Sequence, residues 1–253
     1  MPGQSPRMFA KTAAFYDRVY AALGKDYVRE ANALAVAIRR HAPEARTLLD
    51  AGCGTGAHLE AFEHDGFVCG GFDLDLTMVK LARARCPGME IVPGDLIDFA
   101  PGERFDFTPG ARFDVVTCLF AAISYVRTAE RLRKAIANLA TLLAPGGQLV
   151  LEPQIGPAEF KPGRLDAVFV DEPDLKLARM SVSKQIGKIA IIDFHYMIAT
   201  RKDGVEREFE RHEIGLFEPA EYHAAFTDAG LTCETLELPE FPRGILRGVP
   251  ARA

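Results

Sequence analysis

Three glycines at alternate positions, Gly52, Gly54 and Gly56, follow a short apolar stretch that ends at Asp50. Glycine tolerates positive φ and has no Cβ, so this spacing predicts a buried strand that turns sharply into a helix and holds a ligand with its backbone amides. Gly52, Gly54 and Ala57 also fit the G-x-G-x-x-G/A fingerprint of dinucleotide-binding proteins. The glycines alone therefore predict a nucleoside site and leave the nucleoside open.

Asp50 is the residue that separates the two possible nucleosides. A carboxylate beside a pyrophosphate would repel it, because like charges ~4 Å apart cost on the order of 4 kcal/mol at an effective dielectric near 20. S-adenosylmethionine carries an ammonium and a sulfonium, so the same carboxylate would stabilise it. The sequence therefore favours S-adenosylmethionine over a nicotinamide dinucleotide, with Asp50, Ala51, Gly52 and Gly54 in its binding loop.

Further side chains that could do chemistry follow the later predicted strands. Asp73 lies about twenty residues after the glycines, where a carboxylate accepts hydrogen bonds from both ribose hydroxyls of either nucleoside. Asp95 follows the third strand, where it could accept the adenine amino proton or cap a short turn. Phe120 and Glu152 end the fourth and fifth strands. We expect these residues to meet at one edge, because parallel strands bring their carboxyl ends together.

The elements that must position these residues alternate between strand and helix. After the first strand, strands are predicted at 67–73, 90–93, 113–119 and 148–152, with helices at about 56–65, 76–85 and 128–143 between them. Strands joined by helices form right-handed crossovers, so this order predicts a Rossmann-like α/β fold with a mostly parallel sheet. A closing pair at 232–238 and 245–249 is expected to add an antiparallel C-terminal strand.

From Pro153 the pattern changes to the alternation of antiparallel strands, at about 167–170, 176–184, 189–200 and 205–216. We expect residues 153–212 to form an inserted antiparallel β subdomain that covers the active site and binds the acceptor. Residues 1–152 and 213–253 would then form the nucleoside-binding domain. Its N-terminal helices, which carry Tyr16, Tyr20 and Tyr27, are expected to act as a lid or to pack on the core.

Composition excludes several classes of protein. The chain has 253 residues, 48% of them hydrophobic, and a net charge of −5, so it has no electrostatic footprint for nucleic acid. No apolar run approaches the ~20 residues that cross a bilayer. Its five cysteines lack C-x-x-C spacing, which indicates reduced thiols. We therefore expect a cytoplasmic protein that binds neither nucleic acid nor membrane.

Several motifs together carry a family resemblance. They are Phe15-Tyr16-Asp17, Gly24-Lys25-Asp26-Tyr27, Asp50-x-Gly52-x-Gly54-x-Gly56 with His58, Gly94-Asp95, Pro145-Gly146-Gly147, Glu152-Pro153, the stretch from Glu221 to Leu231, and Arg243-Gly244. In these the chain resembles the nucleotide-linked aminosugar N-methyltransferases of the macrolide type, a group of class I methyltransferases. Members transfer methyl groups from S-adenosylmethionine to the 3-amino group of a TDP-deoxysugar. The resemblance covers Tyr16 to Pro250.

The resemblance implies roles for named residues. Tyr16, Lys25, His58, Asp73, Asp95 and Leu96 would contact the donor, and Leu74 and Leu119 complete the predicted cofactor-binding set. Tyr20, Tyr125, Glu152 and Arg243 would face the sugar or its diphosphate, with Phe120 beside them. Tyr20, Tyr125 and Glu152 are the candidate catalytic residues. A homodimer is also implied.

Two stretches depart from the family pattern where the acceptor should bind. Gln154-Ile155 replaces an expected aromatic pair, and Ala121-Ala122 replaces expected serines. The identity of the sugar is therefore open. Methylation of another small amine or hydroxyl compound remains an alternative, as does a donor-binding protein without catalysis.

Neither a metal ion nor a strong base is required for this chemistry. Methyl transfer from a sulfonium is an in-line displacement, and alignment of the two reactants can supply ~7 to 11 kcal/mol of the barrier. Tyr20 or Glu152 could orient the amine or accept its proton. The six histidines lack the spacing of metal ligands, and His212 with Glu213 is interpreted as an exposed strand pair.

Overall fold

A seven-stranded sheet forms the centre of the molecule. The computed structural model describes residues 9, 12–100 and 111–251. The strands of this core sheet are β1 Thr47–Ala51, β2 Val68–Asp73, β3 Glu90–Pro93, β4 Phe113–Cys118, β5 Leu143–Leu151, β10 Leu231–Leu238 and β11 Phe241–Pro250. Their order is β10-β11-β5-β4-β1-β2-β3. The five neighbouring strands β5, β4, β1, β2 and β3 pair in parallel, while β11 pairs antiparallel with β5 and with β10. This arrangement confirms the predicted fold class.

Helices cover both faces of the core sheet. They are α1 Tyr16–Ala22, α2 Tyr27–His41, α3 Ala57–His64, α4 Leu76–Arg85, α5 Ala129–Thr141 and α6 Pro219–Asp228. Successive side chains of a strand point to opposite faces, so Leu48 packs in one cluster with Leu34 of α2, and Leu49 in another with Leu139 of α5. All four are fully buried. The parallel strands are therefore apolar on both sides, as the sequence predicts.

The helix boundaries follow capping residues. Asp75 accepts hydrogen bonds from the backbone N–H groups of Thr77 and Met78, at 2.7 and 3.2 Å, and so starts α4 at Leu76. At α5 the cap is Thr128, which accepts from the backbone of Arg131 at 3.3 Å. The span of α4 is as the sequence predicts.

One boundary in the core sheet differs from the prediction. Pro145-Gly146-Gly147 does not end α5, because the helix stops at Thr141 and the proline and glycines lie inside β5. Leu143 pairs with Phe113 and Gln148 with Val115, with an irregular register between them. The predicted strand 148–152 is thus the regular half of a longer strand whose first half bulges.

A second sheet of four antiparallel strands covers the carboxyl edge of the core sheet. Its strands are β6 Leu165–Glu172, β7 Leu175–Ile186, β8 Ile189–Thr200 and β9 Gly204–Gly215, in the order β6-β7-β8-β9. We call it the roof sheet. Strands β8 and β9 form a hairpin, in which Thr200 pairs with Gly204.

The roof sheet rests on the N-terminal helices. Val168, Leu177 and Tyr196 on its inner face pack against Val19 of α1. Its last strand extends to Gly215, beyond residue 212, where the sequence analysis ends the insertion. Among the described ranges, no helix combines the length and the apolar character that a membrane span requires.

Candidate functional site

A cavity of about 990 Å³ lies between the carboxyl edge of the core sheet, helix α1 and the roof sheet. This volume falls at the upper end of the range for small-molecule sites. Most residues that the sequence analysis assigns to donor or acceptor line it together. They are Tyr16, Tyr20, Lys25, Gly52, Gly54, Asp73, Leu74, Asp95, Leu96, Leu119, Phe120, Tyr125, Glu152 and Arg243. Asp50, Ala51 and His58 do not line it.

The glycine loop after β1 is shaped for close approach of a ligand. Gly52, Gly54 and Gly56 have φ values of 77°, 55° and 78°, in the region that side chains other than glycine rarely adopt. A Cβ at Gly52 would lie 2.9 Å from the Cβ of Ala122, whereas above Gly54 there is open space within 4 Å. Gly52 is therefore required for packing, and Gly54 leaves a bare backbone facing the cavity.

Asp73 holds this loop in place. Its Oδ2 accepts a hydrogen bond from the backbone N–H of Gly54 at 2.8 Å, and its Oδ1 accepts one from Asp75 at 2.8 Å. Burial raises the pKa of Asp73 to about 6, against these two hydrogen bonds. Each carboxylate oxygen keeps a lone pair, so Asp73 can also accept two ligand hydroxyls.

Asp50 lies one layer behind the cavity wall. Its carboxylate is buried and accepts a hydrogen bond from Thr117 Oγ1 at 2.7 Å. Burial raises its pKa, although His58 and Thr117 favour the charged form. Asp50 therefore does not contact the cavity directly, and neither does Ala51, which is also buried.

His58 does not line the cavity but joins a pair of charged residues that do. Its Nε2 lies 2.9 Å from Glu30 Oε2, and Lys25 Nζ lies 2.6 Å from the same oxygen. Burial acts to raise the pKa of Glu30, but the hydrogen bonds from His58 and Lys25 outweigh it and lower the pKa. The Lys25 ammonium sits 3.9 Å from the Phe120 ring centroid.

Helix α1 closes one side of the cavity with aromatic rings. Tyr20 lies 4.6 Å from Tyr16 and 4.8 Å from Phe120, measured between ring centroids. Asp17, on the same helix, accepts a hydrogen bond from Thr55 Oγ1 at 2.7 Å and pairs with Arg85. The helix is thereby tied to the glycine loop, and a lid role for Tyr16 and Tyr20 stays a prediction.

Asp95 fulfils one of its two expected roles, the cap of a short turn. Its Oδ1 accepts a hydrogen bond from the backbone of Ile97 at 3.1 Å, so it does cap a short turn. The residue also lines the cavity, and its Oδ2 lies 3.9 Å from Arg131. An adenine contact is therefore compatible with the turn and stays a prediction.

Glu152 holds the turn that follows β4. Its carboxylate is buried, accepts a hydrogen bond from the backbone N–H of Phe120 at 2.7 Å, and pairs with Arg243. Phe120 and Ala121 have φ values of 53° and 55°, a left-handed conformation that costs energy in residues with a Cβ. Glu152 therefore fixes a strained turn that carries one wall of the site.

The roof sheet contributes residues that the sequence analysis did not find. His212 is buried, so its interpretation as part of an exposed pair is wrong. Its Nδ1 lies 2.6 Å from the Tyr125 hydroxyl. Arg179 is buried too, with its guanidinium carbon 5.2 Å from the Tyr20 ring centroid and 4.5 Å from that of Phe194. In the part of the chain that the structure describes, no group of side chains could hold a metal ion.

A parallel sheet in this order, with a glycine loop after β1 and a carboxylate at the end of β2, defines a class I methyltransferase. Residues 48–147 match the family described as a methyltransferase domain. The protein is thus a methyltransferase that depends on S-adenosylmethionine, which settles the choice between nucleosides. The bare backbone at Gly54 and the free lone pairs of Asp73 fit this cofactor.

Comparison with known proteins narrows the class. The chain is 38% identical to the dTDP-3-amino-3,4,6-trideoxy-alpha-D-glucopyranose N,N-dimethyltransferase of Streptomyces venezuelae, over 94% of this chain and 98% of that protein. It is 36% identical to the dTDP-4-amino-2,3,4,6-tetradeoxy-D-glucose N,N-dimethyltransferase of Saccharopolyspora spinosa, over 94% and 92%. CalS10, an amino pentose methyltransferase of Micromonospora echinaspora solved with the donor bound, superposes with a TM-score of 0.82 at 34% identity, covering 93% of this chain and 96% of that one. The chain belongs to the nucleotide-linked aminosugar N-methyltransferases.

Proposed function

We propose that this protein transfers methyl groups from S-adenosylmethionine to the amino group of a TDP-linked aminodeoxysugar in secondary-metabolite biosynthesis. The named relatives share a nucleotide-linked aminosugar but differ in the position of the amine. The common chemistry is therefore a diphosphate, a deoxysugar and a primary amine. The position of the amine is left to experiment.

The observation that carries this proposal is a set of cations at the acceptor end of an acidic protein. Arg179 and Lys161 line the cavity, and among residues 12–100 and 111–251 neither forms an ion pair with a carboxylate. Arg243 also lines it, with its buried Nε donating no hydrogen bond to described residues. A buried guanidinium without a counter-ion is costly unless a ligand supplies one, and a diphosphate does so.

The donor end is assigned to the residues nearest the glycine loop. The backbone of Gly52 and Gly54 allows the donor to approach closely, and Asp73 accepts hydrogen bonds from its ribose hydroxyls. Lys25 provides a positive charge for the carboxylate of S-adenosylmethionine. When bound, S-adenosylmethionine supplies a methyl group on a sulfonium, whose carbon–sulfur bond breaks as the acceptor nitrogen forms its bond to carbon. Burial of the site between core and roof excludes water from this exchange.

Glu152 is better suited to positioning than to proton transfer. Both of its oxygens already accept hydrogen bonds, one from Phe120 and one from Arg243. Tyr20 lies in the same wall as Phe120 and can orient the amine. We therefore retain Tyr20 and Tyr125 as residues that touch the acceptor, and assign Glu152 to holding the turn.

The direct test is to incubate the protein with S-adenosylmethionine and TDP-linked 3-amino and 4-amino deoxysugars, and to follow the products by mass spectrometry. We expect one or two methyl increments on the nucleotide sugar. Methylation of unrelated amines or alcohols, with none on the nucleotide sugars, would favour the alternative acceptor class. Donor binding without any methyl transfer would favour a protein without catalysis.

Arg179→Gln tests the diphosphate assignment. We expect the KM of this variant for the nucleotide-linked acceptor to rise by about 10- to 100-fold, because one charge-assisted hydrogen bond to a phosphate is lost. The donor KM should be unchanged. The matched control is Arg201→Gln. Arg201 lies in the turn between β8 and β9, and its side chain is exposed and paired with Asp174. An equal rise of KM for donor and acceptor would contradict the assignment.

The two-part organisation and the homodimer are proposed together. Residues 153–212 are assigned to acceptor binding, and the outer face of the roof sheet to contact with a second copy. Phe169, Met180, Met197 and Phe209 are exposed there, close to one another across the strands. Apolar patches of this kind mark contact surfaces. We also propose a cytoplasmic location, where nucleotide-linked sugars are made.

Phe209→Glu tests the dimer. A carboxylate placed in an apolar interface is expected to convert dimers into monomers at micromolar concentration, because its burial is unfavourable. Sedimentation velocity measures the change. The control is Val205→Glu at the exposed start of the same strand. An unchanged sedimentation coefficient for the Phe209 variant of a dimeric protein would exclude this face, and a monomeric wild-type protein would exclude the dimer.

A further inference from the structure

A chain of four polar side chains runs from the cavity into the roof sheet. The Tyr125 hydroxyl lies 2.6 Å from His212 Nδ1, His212 Nε2 lies 3.4 Å from Glu210 Oε2, and Tyr196 donates a hydrogen bond to the same oxygen at 3.0 Å. His212, Glu210 and Tyr196 are each less than one-tenth exposed. Tyr125 and His212 line the cavity wall.

The direction of these hydrogen bonds follows from the protonation of Tyr125. Burial, with the nearby Tyr20 and Glu210, raises the pKa of Tyr125 well above its usual value, so the hydroxyl stays protonated. It therefore donates to Nδ1 of His212, which leaves the proton of a neutral imidazole on Nε2, facing Glu210. The other carboxylate oxygen of Glu210, Oε1, is buried and accepts no hydrogen bond from the described residues.

The surroundings of His212 keep water away and contain few other ionisable groups. The ring centroids of Phe9 and Phe194 lie 5.1 and 5.0 Å from the imidazole. Apart from Tyr125, Glu210 and Tyr196, the titratable groups that share its small enclosure are Tyr16 and Tyr20 of α1 and Arg179 of β7. The negative charge of Glu210 therefore stabilises a protonated His212, whereas the positive charge of Arg179 opposes it.

We propose that Tyr125, His212 and Glu210 form a proton relay that deprotonates the acceptor ammonium. The proposal rests on the proposed N-methyltransferase function. The nitrogen–hydrogen bond of the ammonium breaks and its proton passes to the Tyr125 oxygen, while the tyrosine proton passes to Nδ1 of His212. The nitrogen keeps its electron pair for the methyl carbon, and Glu210 stabilises the imidazolium.

The relay answers a need that the reaction creates more than once. A sugar amine is mostly protonated near about pH 7 and then has no lone pair to attack with. After one methyl transfer the nitrogen carries a positive charge again and must lose another proton before it can accept a second methyl group. His212 and Glu210 are positioning and proton-accepting residues in this scheme, and Tyr125 is the one that touches the amine.

The test compares the pH dependence of kcat/KM for the aminosugar nucleotide between the wild-type protein and His212→Gln. At about pH 7 the variant should be slower by about 100-fold, and the deficit should shrink as the pH rises past the pKa of the free amine. The control is His64→Gln, because His64 is exposed at the end of α3, away from the roof sheet. A deficit of constant size at every pH would overturn the relay and leave His212 a structural role.

Two further variants guard against a folding defect. Tyr125→Phe breaks the relay at its other end and should give the same pH profile, and the double variant should be no slower than either single one, because the two residues act as a unit. Glu210→Gln should produce a smaller deficit in the same direction. Additive losses in the double variant would overturn the relay. If the wild-type protein methylates no amine, the proposed function itself fails and the relay with it; an active wild-type protein with parallel profiles refutes the relay alone.

Discussion

Replacement of Asp73 by alanine is expected to weaken binding of S-adenosylmethionine by at least about 100-fold. The carboxylate is predicted to accept two ribose hydroxyls, and each hydrogen bond to a charged group contributes about 1.5–3 kcal/mol. The same change leaves the backbone N–H groups of Gly54 and Asp75 without their acceptor, so the glycine loop loses its fixed shape. Isothermal titration calorimetry with the donor measures the effect.

The control for this experiment is Asp174→Ala. Asp174 is an exposed aspartate in the turn between β6 and β7, and it pairs with Arg201 in the turn between β8 and β9. Surface ion pairs of this kind contribute at most about 1 kcal/mol to stability. Circular dichroism of both variants establishes that each is folded. A folded Asp73 variant that binds the donor within about threefold of the wild-type affinity would refute the assignment of the ribose to this carboxylate.

Replacement of Glu152 by alanine is expected to lower kcat/KM for the acceptor by about 10²- to 10³-fold while donor affinity changes little. Removal of the buried partner of this ion pair costs up to about 3–5 kcal/mol, because the partly buried Arg243 would remain charged and unpaired. The backbone N–H of Phe120 would also lose its acceptor, so the strained Phe120–Ala121 turn would lose its restraint. Steady-state kinetics and calorimetry separate the two effects.

Glu152→Gln provides a graded comparison, since its amide oxygen can still accept from Phe120 while the charge on Arg243 is left unpaired. It should fall between the wild-type protein and the alanine variant. The surface control is Glu213→Gln, a half-exposed glutamate that pairs with Arg127. Equal losses of donor affinity and acceptor turnover in Glu152→Ala would contradict a role confined to the acceptor end.

The donor end of the site could be predicted from sequence because its residues lie at strand ends. Gly52 and Asp73 follow buried parallel strands, and the topology of such a sheet brings these positions together whatever the side chains between them do. The direction of the Asp50 side chain could not be predicted in this way. It depends on Thr117 of the neighbouring strand, which donates to it and keeps it out of the cavity.

The roof residues could not be predicted because the pattern of β9 is misleading. Phe209 is the large apolar residue of the segment from Val205 to His212 and would be placed inward by alternation, which puts His212 outward. In the structure Phe209 is exposed and its ring centroid lies 4.9 Å from that of His195, while His212 faces Tyr125. The inner face of this strand is polar because it serves the site, so hydrophobic periodicity fails where function is concentrated.

The order of strands in the core sheet has a consequence for synthesis on the ribosome. β5 ends at Leu151, but its partner β11 extends to Pro250. One edge of β5 therefore stays unpaired until a strand that is synthesised much later has been made. At about 5–20 residues per second the delay is about 5–20 s, during which β5 presents unpaired N–H and C=O groups. The exposed edge of β5 can pair with other chains until β11 covers it. Deletion of β10 and β11 is therefore expected to yield aggregates rather than a smaller enzyme.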